Sequence, residues 1–228
     1  MIRTPPLRNG DRLTRDEFER RYQAMPHLKK AELIEGVVYL GGPVRQREHG
    51  RPHAHLVGWL GTYEAATPGV EAGDNATVRL DLDNEPQPDT FLRIVPEAIA
   101  QSRIGEEGYV EGAPEFVAEV AASNASYDLH AKLHVYRRNG VREYLVWRVL
   151  DREVDWFFLR EGQYQKATPD SSGILRSEVF PGLWLDSGAL LAGKLGGVLK
   201  VLERGLSDPA HAAFADQLKA ASAQGSGS

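Results

Sequence analysis

The sequence predicts a mixed β-sheet flanked by helices, an α/β chain of the α+β kind, and three observations carry that reading. Short apolar runs such as TFLRIV, EFVAEVAA and REYLVWRVL are interleaved with amphipathic helical stretches. Several of the runs are adjacent in sequence. The chain has 228 residues, 42% of them hydrophobic, enough to bury one substantial core, and no linker is long or polar enough to separate two large domains.

The elements follow in order. Thr14, with Glu17 three residues on, is a capping box that opens a helix running to about Ala24. AELIEGVVYL makes two short strands around Gly36. HAHLVGWLGTYEAA is a helix with Leu56, Leu60 and Tyr63 on one face. TVRLDL and TFLRIV are strands joined by the acidic turn DNEPQP, and EFVAEVAA is a strand bounded upstream by Gly112 and Pro114. SYDLHAKLHVYRRNG is a helix closed by Asn139 and Gly140. REYLVWRVL, EVDWFFLR and QYQKA form a further strand group, and PGLWLD precedes two C-terminal helices. The main domain therefore covers residues 1–191, a helical extension 192–223, and a disordered tail or expression scar 224–228.

Composition narrows the function classes. There is no cysteine, so disulfides and thiolate zinc sites are excluded. The N-terminal MIRTPPLRNGDRLT lacks an apolar signal core, and no later stretch is long enough to span a bilayer, so a soluble cytoplasmic protein without a membrane partner is expected. A net charge of −5 argues against a general positive field for DNA, which leaves local clusters such as Arg15, Arg20 and Arg21, or Arg137, Arg138 and Arg142. Each cluster also suits a solvated helix face.

Two carboxylates interrupt apolar runs. Asp89 stands where the turn EPQPD becomes strand, and Glu119 sits inside PEFVAEVAA. Alternation sends Phe116, Ala118 and Val120 to one sheet face and Glu115, Val117, Glu119 and Ala121 to the other. If TFLRIV lies beside that strand, Asp89 and Glu119 are close enough to share a divalent cation, because hard oxygen ligands suit one. The plainer alternative is that Asp89 caps a turn after Pro88 and Glu119 pairs with an arginine. In the next helix Asp128, Lys132 and Tyr136 are spaced four apart on one face. A lysine returned towards the acids suits phosphodiester hydrolysis, although an Asp to Lys pair on a solvated helix gives the same spacing.

Three other patterns carry less. HGRPHAH sets His49 and His53 four apart, with His55 two further on, but zinc lacks its HExxH and cysteine companions. His130 and His134 lie off the Lys132 stripe and should face away. DLDNEPQPD is acidic like a calcium loop, yet has Pro86 and Leu92 where glycine and glutamate are needed.

Taken together, these segments resemble the PD-(D/E)XK nuclease superfamily, and more closely its Uma-two branch of bacterial restriction-endonuclease-like proteins. The segments are AELIEGVVY, His53 with Leu56 and Leu60, Pro88 and Asp89, PEFVAEV with Glu119, then Asp128, Lys132 and Tyr136, GVREYLVW and SEVFPGLWLD, spanning roughly Leu13 to Leu191. The resemblance implies a restriction-endonuclease-like core in the main domain, with Asp89 and Glu119 holding Mg²⁺ or Mn²⁺. The superfamily's usual lysine position, two residues after the glutamate, is Ala121 here, and the Uma-two lysine of the next helix is matched by Lys132. That lysine would stabilise the charged phosphate or position the attacking water. Glu32 matches an acid that assists at the site and is preferred to Glu35, since strand alternation does not place both on one face. His53 and Tyr136 match substrate-binding positions, although a lone histidine at a helix start also suits a structural role and Tyr136 would either bind phosphate or support Lys132. The implied activity is metal-dependent endonucleolytic hydrolysis of DNA, with RNA left open as a substrate and a homodimer suited to cutting both strands. The alternative is a non-catalytic nucleic-acid-binding or assembly module on the same fold, which Ala121 and the negative net charge favour.

Overall fold

The computed structural model describes residues 4–122 and 127–225. Helix α1 (Arg15–Gln23) begins where Thr14 accepts the Glu17 N–H at 3.4 Å, while the Glu17 carboxylate pairs with Arg20 and Arg21. Strands β1 (Ala31–Ile34) and β2 (Val37–Leu40) form an antiparallel hairpin. Its two turn residues, Glu35 (φ 53°) and Gly36 (φ 71°), are both left-handed, the geometry that a two-residue connection requires. A π-helical turn over Gln46–Gly50 leads into α2 (Arg51–Ala66).

Next come β3 (Val70–Asp74), β4 (Val78–Arg79), β5 (Thr90–Ile94), β6 (Ser102–Ile104), β7 (Val110–Gly112) and β8 (Phe116–Ala121). Helix α3 is a π-helical turn over Asp128–Lys132 that tightens into Leu133–Arg138. The chain continues through β9 (Glu143–Arg148), β10 (Glu153–Arg160), β11 (Gln163–Lys166), β12 (Ile174–Arg176) and β13 (Trp184–Asp186). It closes with α4 (Ser187–Leu191), α5 (Leu195–Leu206) and α6 (Pro209–Gly225).

Among the described residues the central sheet is six-stranded and mixed, in the order β11-β10-β9-β8-β5-β3. Strands β8 and β9 are its parallel pair, and α3 lies in the crossover between them. Alternation along β5 and β8 feeds two cores. Leu92, Phe116, Ala118 and Val120 pack with Leu56, Trp59, Leu60 and Tyr63 of α2 and with Val198 and Leu202 of α5. Phe91, Val117 and Ala121 join Tyr136, Tyr144 and Val146 on the other face. Because both faces are covered, β8 is buried from end to end and reads as one apolar run, with Glu119 the exception. A third core, with Leu7, Phe18, Leu33 and Val38, holds α1 on the hairpin. The hairpin in turn docks on the acidic turn, where Leu33 and Glu85 exchange backbone bonds of 3.1 and 2.8 Å.

Several expectations are corrected. Of TVRLDL only Val78–Arg79 pairs as strand, and it joins β7 outside the main sheet. The rest folds back because Asp81 accepts from the Asp83 N–H and the Asn84 amide. Strand β3, VEAGD, lacks an apolar pattern and was not expected; it forms an edge on β5, with Gly73 opposite Phe91. PGLWLD precedes three helices rather than two, since SGALL makes a short α4 capped by Asp186. The expected helix start at Ser126 and the tail residues 226–228 lie outside the described residues, and α6 runs to Gly225.

Candidate active site

Strands β5 and β8 run antiparallel with Thr90 opposite Ala118, so one step further out Asp89 faces Glu119. Glu119 Oε2 accepts the Asp89 N–H at 3.4 Å, and Asp89 Oδ2 accepts the Val120 N–H at 2.8 Å. Both acids are buried, 2% and 3% exposed. The turn that ends in Pro88 aims Asp89 here, and the Leu33 to Glu85 bridge brings β1 alongside it. Glu32 Oε1 then accepts the Gln87 N–H at 2.9 Å.

Helix α3 supplies the lysine and the tyrosine. Lys132 Nζ lies 2.8 Å from Glu119 Oε1 and 2.9 Å from Glu32 Oε1. The Tyr136 hydroxyl donates to Glu119 Oε1 at 2.9 Å. Lys132 and Tyr136 thus project together, as their spacing predicts; the Asp128 side chain lies outside what is described. Ala121 is buried among Val117, Tyr136 and Val146, so the superfamily's usual lysine position is here part of an apolar cluster.

His53 Nε2 contacts the Asp89 backbone oxygen at 2.9 Å and Asp74 Oδ1 at 2.9 Å, which makes it a support of the Asp89 main chain. Glu35 is exposed and pairs on the surface with Arg138 at 3.0 Å. His130 and His134 are exposed. Two residues not singled out for the site also reach it. His49 Nε2 lies 3.1 Å from Asp89 Oδ2, and Lys30 Nζ lies 3.2 Å from Asp89 Oδ1 and 3.3 Å from Asn75 Oδ1. A signal for each was present. Lys30 is two residues before Glu32, hence on its side of an extended chain, and His49 is one helical turn before His53.

The electrostatics push the two acids apart. Burial raises the Asp89 carboxyl, but the His49 hydrogen bond and the charges of Lys30, His49 and Lys132 outweigh it and hold the group well below the usual carboxylate range. Burial raises Glu119, reinforced by the charges of Asp89 and Glu32 and opposed by Lys132 and Lys30. Tyr136 is raised by burial and by Glu119, so it stays protonated and remains a donor. For Lys30, burial opposes the ammonium, but Glu32, Asp89 and Glu119 outweigh it and raise the group. Among the described residues no three His, Asp or Glu side chains are arranged to hold a metal ion, and no helix is long and apolar enough to cross a membrane.

Comparison with known proteins agrees with this fold. A solved structure described as "a putative nuclease belonging to DUF820", from Anabaena variabilis, is similar with a TM-score of 0.58 and 14% identity, covering 77% of this chain and 97% of that one. At that identity the likeness is one of fold. No curated protein matches the sequence. Residues 15–188 match the family described as "Uma2: Putative restriction endonuclease". That match spans the hairpin, Asp89, Glu119 and α3, and the chain belongs to the Uma2 family.

Proposed function

We propose that the chain is a divalent-metal-dependent endonuclease that hydrolyses DNA phosphodiester bonds. The observation that supports this is the buried pair Asp89 and Glu119 on neighbouring strands, with Lys132 and Glu32 gathered on it, in a member of the Uma2 family. The donor set suits Mg²⁺ or Mn²⁺, since magnesium is commonly held by one or two carboxylates while water and phosphate oxygens complete its shell. The chemistry such a cation supplies is activation of water and neutralisation of phosphate charge.

The chain's own residues prepare the site. Lys132 and Tyr136 orient Glu119, Glu32 holds Lys132 in place, and His53 steadies the Asp89 backbone. The family description as a restriction endonuclease favours DNA over RNA, and a homodimer would present one such centre to each strand of a duplex.

A second reading, a non-catalytic nucleic-acid-binding or assembly module that retains the fold, draws on a different observation. Asp89 and Glu119 already have partners in Lys30, His49, Lys132 and Tyr136. Calorimetric titration of the purified protein with Mn²⁺, beside Asp89→Asn, followed by incubation with plasmid and single-stranded DNA, separates the two. Binding and cleavage that both vanish in the variant support the nuclease. A folded wild type that takes up no ion and cuts nothing gives the lead to the module.

A further inference from the structure

Two lysines lie on the acid pair, and their surroundings differ. The Lys132 side chain is 3% exposed, its ammonium is shared by Glu119 and Glu32, and it stands 5.4 Å from the Tyr127 ring centroid. An ammonium so enclosed reaches a polyanion only by giving up its ion pairs with Glu119 and Glu32 in the interior, which is costly.

The Lys30 side chain keeps 29% of its surface open while resting on Asp89. Its stem is guided by Gly41, which donates its N–H to the Lys30 carbonyl at 3.0 Å and where an added Cβ would stand 2.9 Å from the Lys30 Cβ. Residues 41–47 are exposed and carry Arg45 and Arg47, and the segment leads from Gly41 to His49, itself on Asp89. Lys29, the residue before Lys30 in the chain, is exposed. This rim combines basic side chains with open backbone at the acid pair, the pattern that phosphate contacts use.

We propose that Lys30 is the residue that meets the scissile phosphate of a nucleic-acid strand, and that Lys132 is a positioning residue for Glu119 and Glu32. The proposal rests on the nuclease reading and divides between two lysines the roles of holding the acids and of offsetting phosphate charge. In the hydrolysis the water oxygen forms a bond to phosphorus, and the bond from phosphorus to the leaving oxygen breaks with its electron pair. The attacking water releases a proton to solvent, and the leaving oxygen takes one from solvent. Lys30 offsets the charge that grows on the non-bridging oxygens.

The test compares wild type, Lys30→Gln and Lys30→Arg on a labelled single-stranded DNA oligonucleotide and its duplex. It reads thermal melting, cleavage rate with Mg²⁺ or Mn²⁺, and binding across a salt series with the metal chelated. Lys30→Gln is expected to stay folded with a modestly lowered melting temperature, since it gives up the part-exposed pair with Asp89, to cleave about 100-fold more slowly, and to flatten the salt dependence of binding by about one phosphate contact. Lys30→Arg is expected to recover most of both. Cleavage by Lys30→Gln within about threefold of an active wild type overturns the role of Lys30 and leaves the nuclease reading standing. If wild type binds without cleaving, the nuclease reading fails, and the salt slope decides: a flatter slope in Lys30→Gln retains the phosphate contact, an unchanged one overturns it. A wild type that neither binds nor cleaves overturns both.

Discussion

Asp89 and Glu119 each hold the other's strand: Asp89 Oδ2 accepts the Val120 N–H at 2.8 Å, and Glu119 Oε2 faces the Asp89 N–H at 3.4 Å. Neither carboxylate can turn away without giving up a backbone donor in the interior. The sheet therefore fixes the acids before any ligand arrives, which is the kind of preorganisation a catalytic centre needs.

Tyr136→Phe removes one donor from Glu119 Oε1 and leaves Lys132 in place. The expected outcome is a loss of about 1 kcal/mol in stability and about tenfold in cleavage. Urea unfolding and initial rates measure the two separately, and an unchanged rate would show that Lys132 alone orients Glu119.

Lys132→Met strands Glu32 and Glu119 in the interior without their shared cation. Breaking a buried ion pair by removing one member typically costs about 3–5 kcal/mol, so a clear drop in melting temperature is expected. Adding Glu119→Gln should recover part of it. A Lys132→Met protein that melts like wild type would mean that the acids take up protons without penalty.

Glu32 and Glu35 should behave differently. Glu32→Gln deletes a charge facing Lys132 and is expected to lower both stability and cleavage. Glu35→Gln breaks only an exposed pair with Arg138 and should change stability by less than about 0.5 kcal/mol. Equal effects in the two variants would remove Glu32 from the site.

Glu143 gives a pH signature away from the acid pair. Its buried carboxylate accepts from Ser177, Glu178, Val179 and the Trp156 indole, and burial raises its pKa from 4.5 to about 7 despite these donors. The folded state then binds the extra proton between those values, so the contribution is complete below the lower one and is lost as pH rises through the higher. The stability advantage of wild type over Glu143→Gln should shrink by on the order of 3 kcal/mol from acid to mildly alkaline pH. A difference that stays flat in urea titrations across this range contradicts the assignment.

Gly73→Ala would set a Cβ about 2.0 Å from the Phe91 ring, which covers this glycine from the neighbouring strand. A loss of about 1–3 kcal/mol is expected, relieved in part by Phe91→Leu. If both proteins unfold at the same urea concentration as wild type, β3 is held by other contacts.

Much of this was legible in the chain. The period-two pattern of EFVAEVAA assigned Glu119 a face, and that face is the one Asp89 shares. The four-residue spacing of Lys132 and Tyr136 placed both on Glu119. Strand β3 was hidden because Glu71, Gly73 and Asp74 have little strand preference, and its place depends on Phe91, which packs over Gly73 from the neighbouring strand.

The sequence by itself determined which side chains share a strand or helix face, since those periods are local properties of the backbone. Only the tertiary structure decided what each face meets. The docking of β1 on the acidic turn brings Glu32 to Lys132, and the packing of α3 encloses Lys132 while Lys30 is left open at the rim. Those outcomes rest on contacts between distant segments, whose burial no local pattern encodes.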